Sequence, residues 1–223
     1  MILSVDSTAK TASAALTDGE KVINSEFADT GLTHSETLLP MIKRVMGDTP
    51  YSALDAIAIT AGPGSFTGVR IGVATVKGLA FENEIPCISV STLEAIAYNF
   101  IDKSCVVCSV MDARRMQFYN AIFKIQDGVC TRLTPDRAIA LEDLREELKA
   151  FDSVIIAGDG AELCYNNLEL DNAVLPSPDL IYQNALSIAK LAENKEKIPP
   201  AALMPTYLRQ SQAERELKLK LGE

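Results

Sequence analysis

The chain has 223 residues, is 48% hydrophobic and carries 30 acidic against 21 basic side chains, for a net charge of −9. That length and apolar content can build one large core or two smaller ones, while the charge excludes a protein that grips nucleic acid unaided, because phosphates would be repelled. No apolar run approaches the ~18 residues a membrane span needs, and the first residues carry neither the basic start nor the apolar stretch of a secretion signal, so a cytoplasmic location is expected.

Residues 2–6 read as a strand ending on Asp6, followed by Ser7-Thr8. A second strand at 11–16 and a third at 20–27 flank Asp18-Gly19, a strong hairpin turn. Thr33-x-x-Glu36 has the spacing of a capping box and starts an apolar helix to Met46, which Pro40 should kink or shorten. Residues 56–60 form a buried strand broken by Gly62-Pro63-Gly64, after which Ser65 or Thr67 can cap a helix over 68–81. Strand, glycine turn and helix start can hold an anion. No lysine follows in Walker position, however, so the motif points to a nucleotide-type fold without proving nucleotide binding. A strand at 84–90 and a helix at 93–100 complete this half.

The second half partly repeats that order. A strand at 104–111 ends on Asp112, strands at 117–125 and 129–133 pair across Asp127-Gly128, and a helix covers 141–151. A strand at 154–157 ends at Gly158-Asp159-Gly160, a helix spans 181–192, and a charged helical tail covers 212–221. Such internal duplication predicts two β-β-β-α-β-α lobes, 1–102 and 103–223. Cys105 and Cys108 match C-x-x-C, but residues three apart on a strand point to opposite faces, so all five cysteines read as buried hydrophobes.

The candidate chemistry sits at equivalent places in the two halves. Asp6 and Asp112 end matching strands, and Gly62-Pro63-Gly64-Ser65 and Gly158-Asp159-Gly160 make matching turns. No Gly-Gly or lysine follows Asp6-Ser7-Thr8 to hold a phosphate closely. His34 is the only histidine, and with no other clustered His or Cys it cannot build a usual catalytic metal site; no histidine base for a serine or cysteine nucleophile exists elsewhere in the chain. It reads as a first-turn helix residue that packs or hydrogen-bonds. Arg114-Arg115 could neutralise Asp112, meet a nucleotide or RNA, or be solvated. Gly72 and Gly78 each cost a helix about 1 kcal/mol relative to alanine, which is tolerated where another backbone approaches closely, in this chain's own core or across an interface.

The segments ILSVDSTAKTASAAL, GLTHSETLLPMI, LDAIAITAGPGSFTGVRIGVATVKGLA, IPCISVSTLEAIA, MDARRMQFY and PTYLR together resemble the bacterial TsaB (YeaZ) family of tRNA threonylcarbamoyladenosine biosynthesis proteins. The resemblance runs through most of the chain, is densest over 1–120, and is most specific at GPGSFTGVRIG. It implies an α/β actin-like ATPase (ASKHA) fold with two ribonuclease-H-like lobes. It also implies a non-catalytic subunit that scaffolds and activates its paralogue TsaD, with the ATPase TsaE. Together these proteins form N6-threonylcarbamoyladenosine at position 37 of tRNAs reading codons that begin with A. In superfamily enzymes the equivalents of Asp6 and Asp112 hold magnesium and phosphate. Asp6, Ser7, Gly62, Gly64, Ser65, Asp112, Gly158 and Gly160 would thus line a vestigial cleft, with ATP or ADP at most weakly held there or at the partner interface. The alternative is a small ATPase or phosphotransferase using Asp6, Asp112 and magnesium. The paralogue's H-x-x-x-H metal pair is absent, because Leu38 stands four residues after His34. In the family the first two helices form the face for TsaD or a second copy. The resemblance therefore places His34, Leu38, Leu39, Ile42, Val45, Gly68, Val69, Ile71, Gly72, Val73 and Val76 near that face, with tRNA reached only through the complex.

Overall fold

The computed structural model describes residues 1–29 and 33–209; the expected 212–221 helix lies outside them. The first half runs β1 (Ile2–Asp6), β2 (Ala12–Asp18), β3 (Lys21–Ala28), α1 (His34–Met46), β4 (Ala56–Gly62), α2 (Phe66–Phe81), β5 (Cys87–Ser91) and α3 (Thr92–Tyr98). The second runs β6 (Cys105–Asp112), β7 (Gln117–Gln126), β8 (Val129–Arg132), β9 (Arg137–Ala140), α4 (Leu141–Leu148), β10 (Val154–Ala157), α5 (Ala161–Leu168), β11 (Ala173–Val174), α6 (Pro178–Ile181) and α7 (Ala185–Ala192). Short 3-10 turns lie at Tyr51–Ala53 and Pro200–Ala202.

The strand orders make the duplication explicit. The first sheet is β3-β2-β1-β4-β5, and the second, read from its far edge, is β8-β7-β6-β10-β11. In each, the first strand pairs antiparallel with the second and parallel with the fourth. This is an α/β fold of two ribonuclease-H-like lobes, the actin-like arrangement. Strand β9 is an addition that pairs with β7.

Both sheets are covered on both faces, which is why β4 reads as an unbroken apolar run. Ile57 and Ile59 join the core under α1 and α2, while Ala56 and Ala58 face α7. In the second lobe Cys108, Val110 and Ile156 pack with α4 and α5, and Val107, Met111 and Phe123 pack with Leu93 and Ile96 of α3. The helices are thus exchanged: α3 covers the second sheet and α7 covers the first. A cut at residue 102 separates the sheets, whereas each sheet borrows a helix from the other half.

Several local expectations change. Thr33 makes no side-chain cap, so the capping box does not form, and the helix runs on past Pro40 to Met46. Ser65 is the cap of α2, its Oγ accepting the Gly68 N–H at 3.3 Å, so that helix starts at Phe66. The fifth strand starts only after Pro86, which has no N–H to donate. The helix expected at 181–192 begins at Ala185, capped by Asn184.

Candidate functional site

The two lobes enclose a cavity of about 460 Å³ lined by Lys10, Gly64, Ser65, Phe66, Asp112, Arg114, Asp159, Tyr207 and Arg209, among others. The expected carboxylates meet opposite fates there. Asp6 does not line the cavity. It is fully buried, and its Oδ1 accepts the hydroxyls of Thr60 and, at 2.7 Å, Thr8. Its Oδ2 accepts Nε2 of Gln183 at 3.0 Å, across 177 residues of sequence. Burial pushes the Asp6 carboxyl above its ordinary range, and the bonds from Thr60, Thr8 and Gln183 oppose that rise. Asp112 is exposed, and its Oδ1 accepts the Arg114 N–H at 2.6 Å.

Beside Asp6 the Ser7–Thr8 segment packs directly on the glycine turn and on α2. Gly64, Gly68 and Gly72 recur every fourth residue, and the 7–8 backbone rests on them. A Cβ at Gly64 would collide with the Thr8 carbonyl, one at Gly68 with the Ser7 carbonyl and one at Gly72 with Ser7 Oγ. The Ser65 N–H donates to the Thr8 carbonyl at 2.7 Å, and Ser7 Oγ donates to the Gly68 carbonyl at 2.9 Å. One amide at the start of α2 that could have met an anion is thereby spent on the chain's own backbone. In the second lobe, Gly158 and Gly160 press against Val110 and the Met111–Asp112 backbone. Asp159 between them faces the cavity; its carboxyl is raised by burial and pulled back by Lys10.

Glycines in α2 therefore have two meanings. Gly72 serves close packing within this chain, whereas nothing lies within 4 Å of a Cβ at Gly78, which is exposed. The expected partner face needs the same division. Leu38, Ile42, Val45, Val69, Val73 and Val76 belong to the first lobe's core, and Gly68 and Gly72 are buried against Ser7. None of these eight is presented to a neighbour. Apolar positions available on the two helices are Leu39, part-buried Ile71 and Phe81, the last 80% exposed. The adjacent residues Leu38 and Leu39 face core and solvent respectively, and most of the over-apolar pattern of α1 went into the core. His34 holds the Ala9 carbonyl through Nε2 at 2.7 Å, fixing the loop after β1.

Arg114, Arg115 and Met116 all take positive φ, a strained turn that an isolated Arg-Arg pair does not announce. All five cysteines are free, with Cys105 and Cys108 in different cores on opposite faces of β6. Burial pushes Cys87 and Cys130 up to about 11 and Cys164 up to about 12. No three His, Cys, Asp or Glu side chains converge among the described residues. Nor is any described helix long and apolar enough to cross a membrane.

Over residues 28–157 the sequence matches the family model described as TsaD, tRNA N6-adenosine threonylcarbamoyltransferase. It is 32% identical over 222 residues to the tRNA threonylcarbamoyladenosine biosynthesis protein TsaB of Bacillus subtilis, covering 96% of each chain. The chain belongs to the TsaB family. The TsaB of Haemophilus influenzae is 30% identical, with 93% of each chain covered. The solved structure of YeaZ from Pseudomonas aeruginosa superposes with a TM-score of 0.80 at 26% identity, over 93% of this chain and 99% of that one. The TsaD match runs from the end of β3 to the end of β10.

Proposed function

We propose that this TsaB-family chain acts in forming N6-threonylcarbamoyladenosine on tRNA as a non-catalytic subunit that holds and activates a TsaD-type threonylcarbamoyltransferase. The observation that supports the reading is the burial of Asp6 away from the cavity. The 7–8 backbone sits on Gly64 and Gly68, the Ser7 side chain on Gly72, and Asp6 is engaged by Thr8, Thr60 and Gln183. An actin-like frame whose first-lobe carboxylate is buried and occupied by its own chain keeps the surface of the fold and lacks that group for turnover chemistry. The alternative ATPase or phosphotransferase, with Asp6 and Asp112 sharing magnesium, is disfavoured because Asp6 is buried and does not reach the cavity.

The partner face in this reading is the exposed side of α1 and α2, with Leu39, Ile71 and Phe81 around the small residues Ala74 and Gly78. An aromatic side chain 80% exposed is a strong candidate anchor for a docked helix. The net charge of −9 agrees with tRNA being held by the complex rather than by this chain alone. In this reading the protein works in the cytoplasm without a resident nucleotide, meets TsaE only in the full complex, and uses the same face for a second copy when TsaD is absent. Size-exclusion chromatography with light scattering tests the partner. The chain and the TsaD of the same organism should co-elute as a defined complex, and Phe81→Asp should abolish it. Separate elution at micromolar concentrations would contradict the reading. Calorimetry with magnesium and ATP tests the alternative, which requires tight binding that Asp6→Asn removes.

A further inference from the structure

Residues 206–209 cross the mouth of the cavity and are tied to both lobes. On the first lobe the Thr206 N–H donates to the Ala61 carbonyl at 2.7 Å. There the Tyr207 ring stacks on Phe66 at 4.8 Å, and Arg70 Nε donates to the Tyr207 hydroxyl at 2.8 Å. Arg70 also lies over the Phe66 ring at 3.8 Å and 5.7 Å from the Tyr207 ring, so Phe66, Arg70 and Tyr207 form a three-way cluster at the start of α2. Gly62, at φ 120, lets the segment approach, because a Cβ there would strike the Thr206 carbonyl. On the second lobe Arg209 Nη1 donates to the Ala113 carbonyl at 3.0 Å, in the turn that follows Asp112.

We propose that residues 206–209 are a clasp that holds the two lobes closed over the cavity, and that seating or releasing it sets the angle between the lobes. Three features support a reversible clasp rather than ordinary core structure. Its attachments are a few hydrogen bonds and one aromatic stack, with Tyr207 still 43% exposed. Among the described residues one hydrogen bond, from Arg209, ties the segment to the second lobe, at Ala113 just before three consecutive positive φ values. The cavity beneath is lined mainly by polar groups, among them Lys10, Ser65, Asp112 and Asp159. Two lobes that exchange helices at their base can rotate about that base without unfolding, which makes a tie at the rim an effective control of the angle. The inference goes beyond the partner role and does not depend on it.

Hydrogen exchange on the full-length chain tests it. In the double variant Tyr207→Ala, Arg209→Ala, amides at 61–70 and 112–117 should exchange at least tenfold faster. Amides of β1 and β4 upstream of Ala61 should keep wild-type rates, and the thermal midpoint should shift little. Small-angle scattering should show a larger radius of gyration. Tyr207→Phe, which keeps the stack and loses only the hydroxyl bond, should recover most of the protection. Met204→Ala, an exposed site just before the segment, should change nothing. Unchanged exchange around the cavity would overturn the proposal. So would a rise spread evenly over both sheets, since the segment would then be a structural part of the fold.

Discussion

Replacing Asp6 by asparagine separates a structural carboxyl from a catalytic one. Thr8 and Thr60 donate to Oδ1, which asparagine retains. Oδ2 receives Gln183 Nε2, and Gln183 Oε1 has no partner. Turning the Gln183 amide over would let an asparagine Nδ2 donate to Oε1, at the loss of the Gln183 Nε2 bond to Thr8 Oγ1 at 3.1 Å. The substitution should then cost about 1–3 kcal/mol, the range for one lost hydrogen bond that leaves a buried donor unpaired. The pH dependence carries a definite sign. Burial raises the Asp6 carboxyl in the folded state, so its favourable contribution is fully present below the unfolded value and is lost as pH rises through the raised folded value. Asparagine has no proton to lose, so relative to wild type the variant should gain stability between about pH 4, near the unfolded value, and about pH 8, by about 1.4 kcal/mol for each unit of upward shift. Asp6→Ala instead removes the acceptor of four hydrogen bonds, from the Thr8 N–H, the Thr8 and Thr60 hydroxyls and Gln183 Nε2, at about 1–3 kcal/mol for each buried donor left unpaired. Urea unfolding at the two pH values reads all three proteins. A loss above about 3 kcal/mol for Asp6→Asn at pH 8, or tight magnesium–ATP binding by wild type that the variant lacks, would refute the reasoning.

Other substitutions divide the glycines and the helix faces. Gly68→Ala should destabilise by more than 2 kcal/mol, because its Cβ meets the Ser7 carbonyl, whereas Gly78→Ala should stabilise by up to about 1 kcal/mol, measured by thermal or urea unfolding. Ile42→Ala should cost about 2–5 kcal/mol of stability, while Leu39→Ser should leave stability within about 0.5 kcal/mol and weaken partner binding in a titration. Thiol alkylation of the native protein at pH 7 should be negligible at Cys87, Cys108 and Cys164, which are buried and held protonated, and should become complete only on unfolding.

The frame was legible because local signals and duplication agreed. Asp18-Gly19 and Asp127-Gly128 made hairpins in the expected places, and strands ending on Asp6 and Asp112 are equivalent in the two sheets. The short pieces were not legible. Strand β9 and helix α5 are four and eight residues long, and α5 lacks a side-chain cap. Buried and exposed sides of α1 and α2 could not be told apart, because both carry apolar residues and periodicity records a stripe without saying what covers it. The glycine-rich turn was a sound pointer to a special site. Its purpose depended on Ser7 and Thr8, some sixty residues away, which only the folded chain brings against Gly64, Gly68 and Gly72. Thr60 and Gln183 escaped for the same reason, since a threonine inside an apolar strand and a lone glutamine carry no spacing signal.

The central claim, a scaffold that activates without catalysing, is tested most directly by reconstituting tRNA modification from purified components. The chain alone, given tRNA and the small-molecule substrates of the reaction, should form no N6-threonylcarbamoyladenosine, and its addition should raise the rate of the remaining components from near zero. The Asp6→Asn protein should do so as well as wild type. Full-rate modification in its absence, or loss of activation with Asp6→Asn while the fold and the complex survive, would contradict the account.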